Sequence, residues 1–411
     1  MTAIEFETHA PITQFEVRQN CLWIGSRRIT EWVTEAGATP VYVYDRKCIR
    51  DRIDKIHRAL PKIDLHYAVK ANPMPALVEF TGQLVEGLDV ASAGELEMVL
   101  RTGFDPERIS FAGPGKRDDE LEAALKAGII VNIESERELR VLAALGQNHN
   151  LKPRVAVRVN PPFQLRASGM RMSGGSQQFG VDSERVPALL ADMKNLDVEF
   201  IGFHIFAGSQ NLNADAICEA QRLTCQLAID LSAHAPAPVQ LLNIGGGLGV
   251  PYFPGDQPVA LAPIAENLNT LLPAVRKVMP EARVALELGR YLVAEAGVYI
   301  CRVIDRKVSR GKVFLVTDGG LHHNLAASGN FGQVIRKNFP VVVANRIGAA
   351  QKEYATVVGP LCTPLDLLAD NMQLAVAQPG DLIAIFQSGA YGCSASPLGF
   401  LSHPPPLELL V

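Results

Sequence analysis

From about residue 40 to residue 290 the chain alternates short apolar runs with longer stretches in which apolar residues recur at helical spacing, the pattern of parallel βα units. Eight such runs can be read: DLHYAVKAN (64–72), LVEGLDVAS (84–92), RISFAGPGK (108–116), GIIVNIES (128–135), RVAVRVNP (154–161), EFIGFHIFAGS (199–209), VQLLNIGGG (239–247) and RVALELGR (283–290). Between them lie segments such as SAGELEMVLRTG and SERELRVLAALG, where Ser92 and Ser135 are placed to cap helices. Eight units in about 250 residues predict an α/β fold of the closed (β/α)8 TIM-barrel type rather than an open doubly wound sheet, which usually has fewer strands. The Gly- and Ser-rich stretch 164–180 is expected to form a long loop over the barrel mouth.

After Gly297 the texture changes to strand-like runs without intervening helices: VYICRVIDRKV, KVFLVTDGG, KEYATVVG, DLIAIFQSG and LELLV. These predict a separate C-terminal β domain, whose sheet the early segments ITQFEV and LWIGSRRI are expected to join. The division is therefore 1–38 for N-terminal strands of the β domain, 39–292 for the barrel and 293–411 for the β domain.

Composition narrows the class. The 411 residues suit two domains. A formal charge of -4 lacks the basic excess that nucleic acid requires. No apolar stretch approaches the roughly 20 residues of a membrane span, and the N-terminus has neither a basic start nor an apolar core, so a cytoplasmic protein is expected. The seven cysteines are scattered without a CxxC pair, which predicts neither disulfides nor a metal site.

Barrels of this kind carry their chemistry at the carboxyl ends of the strands, and those ends are polar here: Lys70, Asp89, Lys116, Glu134, Arg158, His204, Ser209, Glu287 and Arg290. Lys70 is flanked by Tyr67, Ala68, Val69 and Ala71, an apolar setting that would keep more of its amine neutral and able to form a Schiff base; by itself it reads more readily as a surface lysine just past a strand. Gly245, Gly246 and Gly247 follow the apolar run LLNI, where glycine lets backbone N–H groups approach an anion, or simply makes a tight turn. Barrels often bind phosphate after the seventh and eighth strands, and Arg290 closes the eighth. Glu287 would keep a pyridine nitrogen protonated, or form an internal salt bridge. His204 would lie on a planar cofactor, or be a hydrogen-bonded core histidine.

Taken together, YAVKAN, GLDVASAGELE, FAGPGK, the histidine strand ending GSQ, NIGGGLG, ELGRYLVAEAG and GAYG resemble the fold-type III pyridoxal-phosphate decarboxylases, diaminopimelate decarboxylase above all, from residue 39 to the C-terminus. The resemblance implies that Lys70 holds pyridoxal 5'-phosphate as a Schiff base, that His204 stacks on its ring and that Glu287 pairs with the ring nitrogen. It implies that Ser209, the Gly245–Gly247 backbone, Gly289, Arg290 and Tyr391 bind the phosphate side, and that Asp89 and Arg158 support the lysine. It also implies a homodimer in which Cys362 of one chain completes the site of the other and protonates the carbanion left by CO2.

Departures from the family pattern gather around the substrate. The usual C-E-S-G-D reads Cys362-Thr363-Pro364-Leu365-Asp366, without the glutamate that would grip a distal amine. The histidine strand is two residues longer, KFG is replaced by Gln178-Phe179-Gly180, the tail reads SHPPP, and His322 and His323 stand where M-N-D is usual. The expected substrate is a free amino acid or an aminoacyl group carried on an acyl carrier protein, with Thr363, Asp366, His322 and Arg336 as candidate contacts. Three alternatives stay open: diaminopimelate decarboxylase itself, an amino-acid racemase with a second base from a β-domain tyrosine, and an inactive decarboxylase-like regulatory protein.

Overall fold

The computed structural model describes residues 3–165, 170–171 and 173–411. The chain divides into two compact units, one of residues 52–249 and 259–289, the other of residues 1–51, 250–258 and 290–411.

The first unit is the predicted barrel. Its strands are β1 (Asp64–Ala68), β2 (Gly87–Val90), β3 (Ile109–Phe111), β4 (Ile130–Ile133), β5 (Arg154–Asn160), β6 (Glu199–Ile205), β7 (Leu241–Gly246) and β8 (Arg283–Leu288). Each pairs in parallel with the next, and β8 returns to β1, so no edge is left open. Two of the helices begin at the expected hydroxyl caps: Ser92 Oγ accepts the Glu95 N–H at 3.2 Å and Ser135 Oγ accepts that of Glu138 at 3.3 Å, each cap contributing about 1 kcal/mol. Of the long loop expected over 164–180, residues 166–169 and 172 lie outside the described residues, while Met170–Arg171 pairs antiparallel with Gly208–Ser209.

Strand periodicity arranges the barrel interior in layers. Ile130, Ala156, Ile201, Leu241 and Ala285 form an apolar plug. Two residues further along β4, β5, β7 and β8, and so on the same face, stand Asn132, Arg158, Asn243 and Glu287. On β6 the step is three, because a register shift between Phe200 and Gly202 inserts one residue before His204. Polar side chains therefore crown an apolar base.

The second unit is β-rich. Its main sheet runs Val341–Val343, Leu382–Ile385, Gly297–Ser309, Lys312–Thr317, Lys352–Val358, Leu367–Ala375. Val41–Tyr44, grouped with the barrel on sequence texture, pairs instead with Gly297–Ser309 and with Leu407–Leu410. The N-terminal strands do not extend that sheet: Glu16–Arg18, Cys21–Ile24 and Arg27–Arg28 make their own antiparallel meander. They share its core through Phe15, Leu22 and Ile24, packed with Val41, Val298 and Phe386.

Candidate active site

Eight buried polar side chains, one from each strand, line the barrel interior: His66, Asp89, Ser110, Asn132, Arg158, His204, Asn243 and Glu287. Burying this many polar groups is costly unless they are paired with each other or with a ligand, so their connections define what the site is made for.

On one side Glu287 is the hub. Its Oε1 accepts a hydrogen bond from Lys70 Nζ at 3.0 Å, and its Oε2 lies 3.0 Å from His204 Nε2. Burial alone would push the Glu287 carboxyl up, but the Lys70 charge and the contact with His204 hold it well below the usual carboxylate range. The His204 approach is at ion-pair distance without hydrogen-bond alignment, and its Nδ1 has no hydrogen-bond partner among the described residues. Lys70 does not end β1 as expected. A 3-10 turn, Val69–Ala71, carries it past the strand, where its side chain is 42% exposed. The desolvated, neutral amine expected from its apolar neighbours is replaced by an ammonium paired with Glu287. Gly289 packs on this turn, since a Cβ there would stand 2.8 Å from Ala71 Cβ.

On the other side a chain of hydrogen bonds crosses β1 to β4. His66 Nδ1 is 3.2 Å from Asp89 Oδ1, Ser110 Oγ donates to the same oxygen at 2.5 Å, and Asn132 Nδ2 donates to Ser110 Oγ at 3.0 Å. Asp89 Oδ2 is buried and has no hydrogen-bond partner among the described residues. Burial would depress the His66 pKa, but the Asp89 charge raises it above the ordinary histidine value.

Arg158 belongs to a third cluster. Its Nη1 donates to Glu134 Oε1 at 2.8 Å, and its guanidinium lies 5.0 Å from the Phe179 ring centroid. Glu134 also accepts the Gly113 N–H at 2.6 Å and the Gly180 N–H at 3.0 Å, while Lys116 bridges Gly113 O, Asn132 O and Glu138. Two cations and two carboxylates thus balance inside the rim. Glu134 and Lys116 were visible at strand ends without an assigned role. The signal for Glu134 was its place at the close of β4, the strand beside the one that carries Arg158.

Ser209 and the glycine run are brought together in the same unit. A Cβ on Gly247 would lie 2.6 Å from Gly208 O, and one on Gly246 would lie 2.1 Å from Glu287 O. Close approach to neighbouring backbone therefore demands glycine at both positions, and at Gly245 and Gly247 φ is positive besides.

In the second unit Arg290 Nη1 donates to Tyr252 OH at 3.0 Å, and the guanidinium carbon lies 4.6 Å from the Tyr391 ring centroid. Cys362 is exposed, and Thr363 Oγ1 accepts the Leu365 N–H at 3.3 Å. Three substrate candidates are corrected. Asp366 is buried, with Oδ1 accepting the Leu321 N–H at 2.6 Å and Oδ2 that of Leu361 at 2.8 Å. Arg336 is neither a free substrate clamp nor a solvated surface charge: it donates to Ser328 O at 3.2 Å, Asn338 Oδ1 at 2.7 Å and Leu367 O at 3.0 Å. His322 is fully buried against His323, with ring centroids 3.7 Å apart.

The barrel site fits pyridoxal phosphate on its own chemistry: unpartnered buried acceptors at Asp89 and His204, an ionised Glu287 for a ring nitrogen, a lysine amine beside it, and a glycine-lined strand end. No helix among the described residues is long and apolar enough to cross a membrane, and no group of three metal-ligating side chains occurs among them.

Comparison with known proteins agrees. Residues 46–294 match the family model described as pyridoxal-dependent decarboxylase, pyridoxal binding domain. The chain is 37% identical over 385 residues to L-glutamyl-[BtrI acyl-carrier protein] decarboxylase of Niallia circulans, covering 92% of this chain and 90% of the relative. It is 33% identical over 390 residues to diaminopimelate decarboxylase of Aquifex aeolicus, covering 93% and 88%. The crystal structure of AQ1208 from Aquifex aeolicus superposes with a TM-score of 0.85 at 32% identity, covering 97% of this chain and 92% of that one. A closed barrel with a lysine, histidine and glutamate gathered at one end, matched by that model over most of the barrel, makes this chain a member of the pyridoxal-phosphate-dependent decarboxylase family of fold type III.

Proposed function

We propose that this decarboxylase removes the α-carboxylate of an aminoacyl group whose far end is uncharged because it is joined to an acyl carrier protein. The observation that carries the reading is the state of the charged side chains around the Cys362 segment. Asp366 has both oxygens on backbone N–H groups, and the Arg336 guanidinium donates to three oxygens of its own chain. Neither offers a counter-charge to a substrate's distal ammonium or carboxylate, and enclosing such a charge uncompensated costs several kcal/mol. A thioester-linked far end carries no charge. The name of the Niallia circulans relative, a decarboxylase of a glutamyl group on a carrier protein, supports the same substrate class.

Bound pyridoxal phosphate supplies an electron sink for the pair left when CO2 departs. Lys70 is the amine proposed to hold its aldehyde and to exchange with the substrate amine. Glu287, ionised beside Lys70 and His204, would keep the ring nitrogen protonated, and His204 would bound one face of the ring. Ser209 and the backbone at Gly245–Gly247 would take the phosphate. Arg290 and Tyr391 are assigned to it on the resemblance alone, as Gly289 is to the same side. Asp89 and Arg158, each fixed by neighbouring strands, would set the walls around the lysine. Cys362, exposed, is the proposed proton donor to the substrate carbon. It would act in the site of a second subunit, so the proposal includes a homodimer.

The test is CO2 release by purified protein from free diaminopimelate, lysine, ornithine and glutamate beside a carrier-protein-bound glutamyl thioester. Turnover confined to the thioester is expected. Brisk turnover of free diaminopimelate would replace this reading with the lysine-biosynthetic one.

A further inference from the structure

We propose that His66 is a positioning residue of the decarboxylase site, holding the Asp89 carboxylate so that its Oδ2 faces a donor delivered with the cofactor or the substrate. In β1, DLHYA, alternation sends His66 to the inward face, while Leu65 and Tyr67 pack outward. The imidazole is buried. It lies on Gly87: a Cβ at that position would stand 2.5 Å from His66 Nε2.

Asp89 Oδ1 is held from two sides, by His66 at 3.2 Å and by the Ser110 hydroxyl at 2.5 Å, whose own oxygen is occupied by Asn132 Nδ2. That leaves the hydroxyl proton to Asp89. Oδ2 is buried with no hydrogen-bond partner among the described residues. An oxygen fixed so firmly and left without a donor is half of a pair whose other member comes with a ligand. The charged groups around the imidazole are Asp89 on β2 and Asp64 on its own strand, which favour its proton, and Arg283 on β8, which opposes it; Glu287 stands beside it in register on β8. Burial opposes the proton, but the two aspartates outweigh it, so His66 holds a proton more readily than a free histidine and, where it does, offsets the Asp89 charge inside the barrel.

The inference rests on the barrel interior being the cofactor site, and the experiment separates the two claims. Borohydride reduction followed by peptide mapping reports whether pyridoxal phosphate is joined to Lys70. Absorbance titration reports its affinity, as a function of pH, in wild type, His66→Leu and His66→Gln. The Leu variant is expected to bind about ten- to a hundredfold more weakly, the loss of one charge-assisted hydrogen bond. The Gln variant, which keeps a donor, should stay within about threefold of wild type. Wild type should lose affinity as pH rises through the His66 pKa, and the Gln variant should lack that limb. Wild-type affinity and pH dependence in the Leu variant, with both lost in Asp89→Asn, would overturn the proposal. Should the Leu variant not fold, an unaltered pH limb in the Gln variant overturns it alone. No adduct at Lys70 in wild type would instead sink the site assignment.

Discussion

Glu287 shares its charge between two partners, holding Lys70 at 3.0 Å and lying 3.0 Å from His204 Nε2. With pyridoxal phosphate bound, the same charge would serve the ring nitrogen. Glu287→Gln removes the charge while keeping the shape, leaving Lys70 and His204 without their anion. The expected loss in kcat is about a hundredfold or more, equivalent to roughly 3 kcal/mol, with the absorbance of the bound cofactor shifted; unchanged kcat in steady-state assays would remove Glu287 from the site. Cys362→Ala tests a different step. The thiol is exposed, so its loss should leave stability and cofactor affinity alone and lower kcat by about 10²-fold, the scale of general acid catalysis. Glu287 sits where strand periodicity turns a polar residue inward among apolar ones, whereas Lys70, on the turn past β1, and His204, beyond the inserted residue of β6, were marked by their places near strand ends and by the resemblance. The contacts of Asp366 with Leu321 N–H, of Arg336 with Leu367 O and of His322 with His403 span tens of residues, and no local spacing encodes those.

At the scale of elements, buried charges act as ties between loops. Glu134 joins the loop after β3, through Gly113, to the segment at Gly180 that follows β5. Asp366 does the same in the second unit, joining Leu321 to Leu361, with Gly320 and Gly359 so close that a Cβ on either would fall within 2.3 Å of its carboxylate. Asp366→Ala leaves two N–H groups without acceptors at about 1–3 kcal/mol each, so a destabilisation of about 2–6 kcal/mol is expected in urea unfolding followed by circular dichroism. A change below about 1 kcal/mol would show that water replaces the carboxylate. All eight barrel strands and both serine caps could be read from the sequence, since alternation and capping are local signals. Leu367–Ala375 could not. Its middle residues, Asp370 and Asn371, are exposed while its ends are buried, so the stretch lacks the period of a strand. Asn338 instead brackets it, its Nδ2 donating to Asp370 O at 2.8 Å and its Oδ1 accepting the Asp370 N–H at 2.9 Å.

Across the whole molecule the buried histidines pull stability in opposite directions with pH. His322 and His323 are pushed down to about 4, first by burial, then for His322 by the charges of His323 and His403, and for His323 by His403 against a raising bond to Pro404 O. They are neutral in the fold, whereas in the unfolded chain they gain a proton near the ordinary value of about 6.5. As pH falls from 6.5 towards 4 the unfolded state therefore binds more protons than the native one, and stability drops. His66 has the reverse sign: its pKa is raised, so its contribution is complete below 6.5 and is lost as pH climbs through the raised value. In the acid window His66 therefore does not oppose them, and His9, also lowered by burial, acts in the same direction. Stability in urea unfolding should fall between pH 6.5 and 5, with His322 and His323 together supplying no more than about 2.7 kcal/mol per pH unit, the limit for two protons. His322→Phe keeps a ring against His323 but cannot take a proton. The part of the acid slope due to these two rings should fall by about half in that variant while the midpoint at pH 7.5 stays close to wild type. An acid slope identical to wild type would mean that other groups set the acid limit and that these two rings reach solvent before the fold opens.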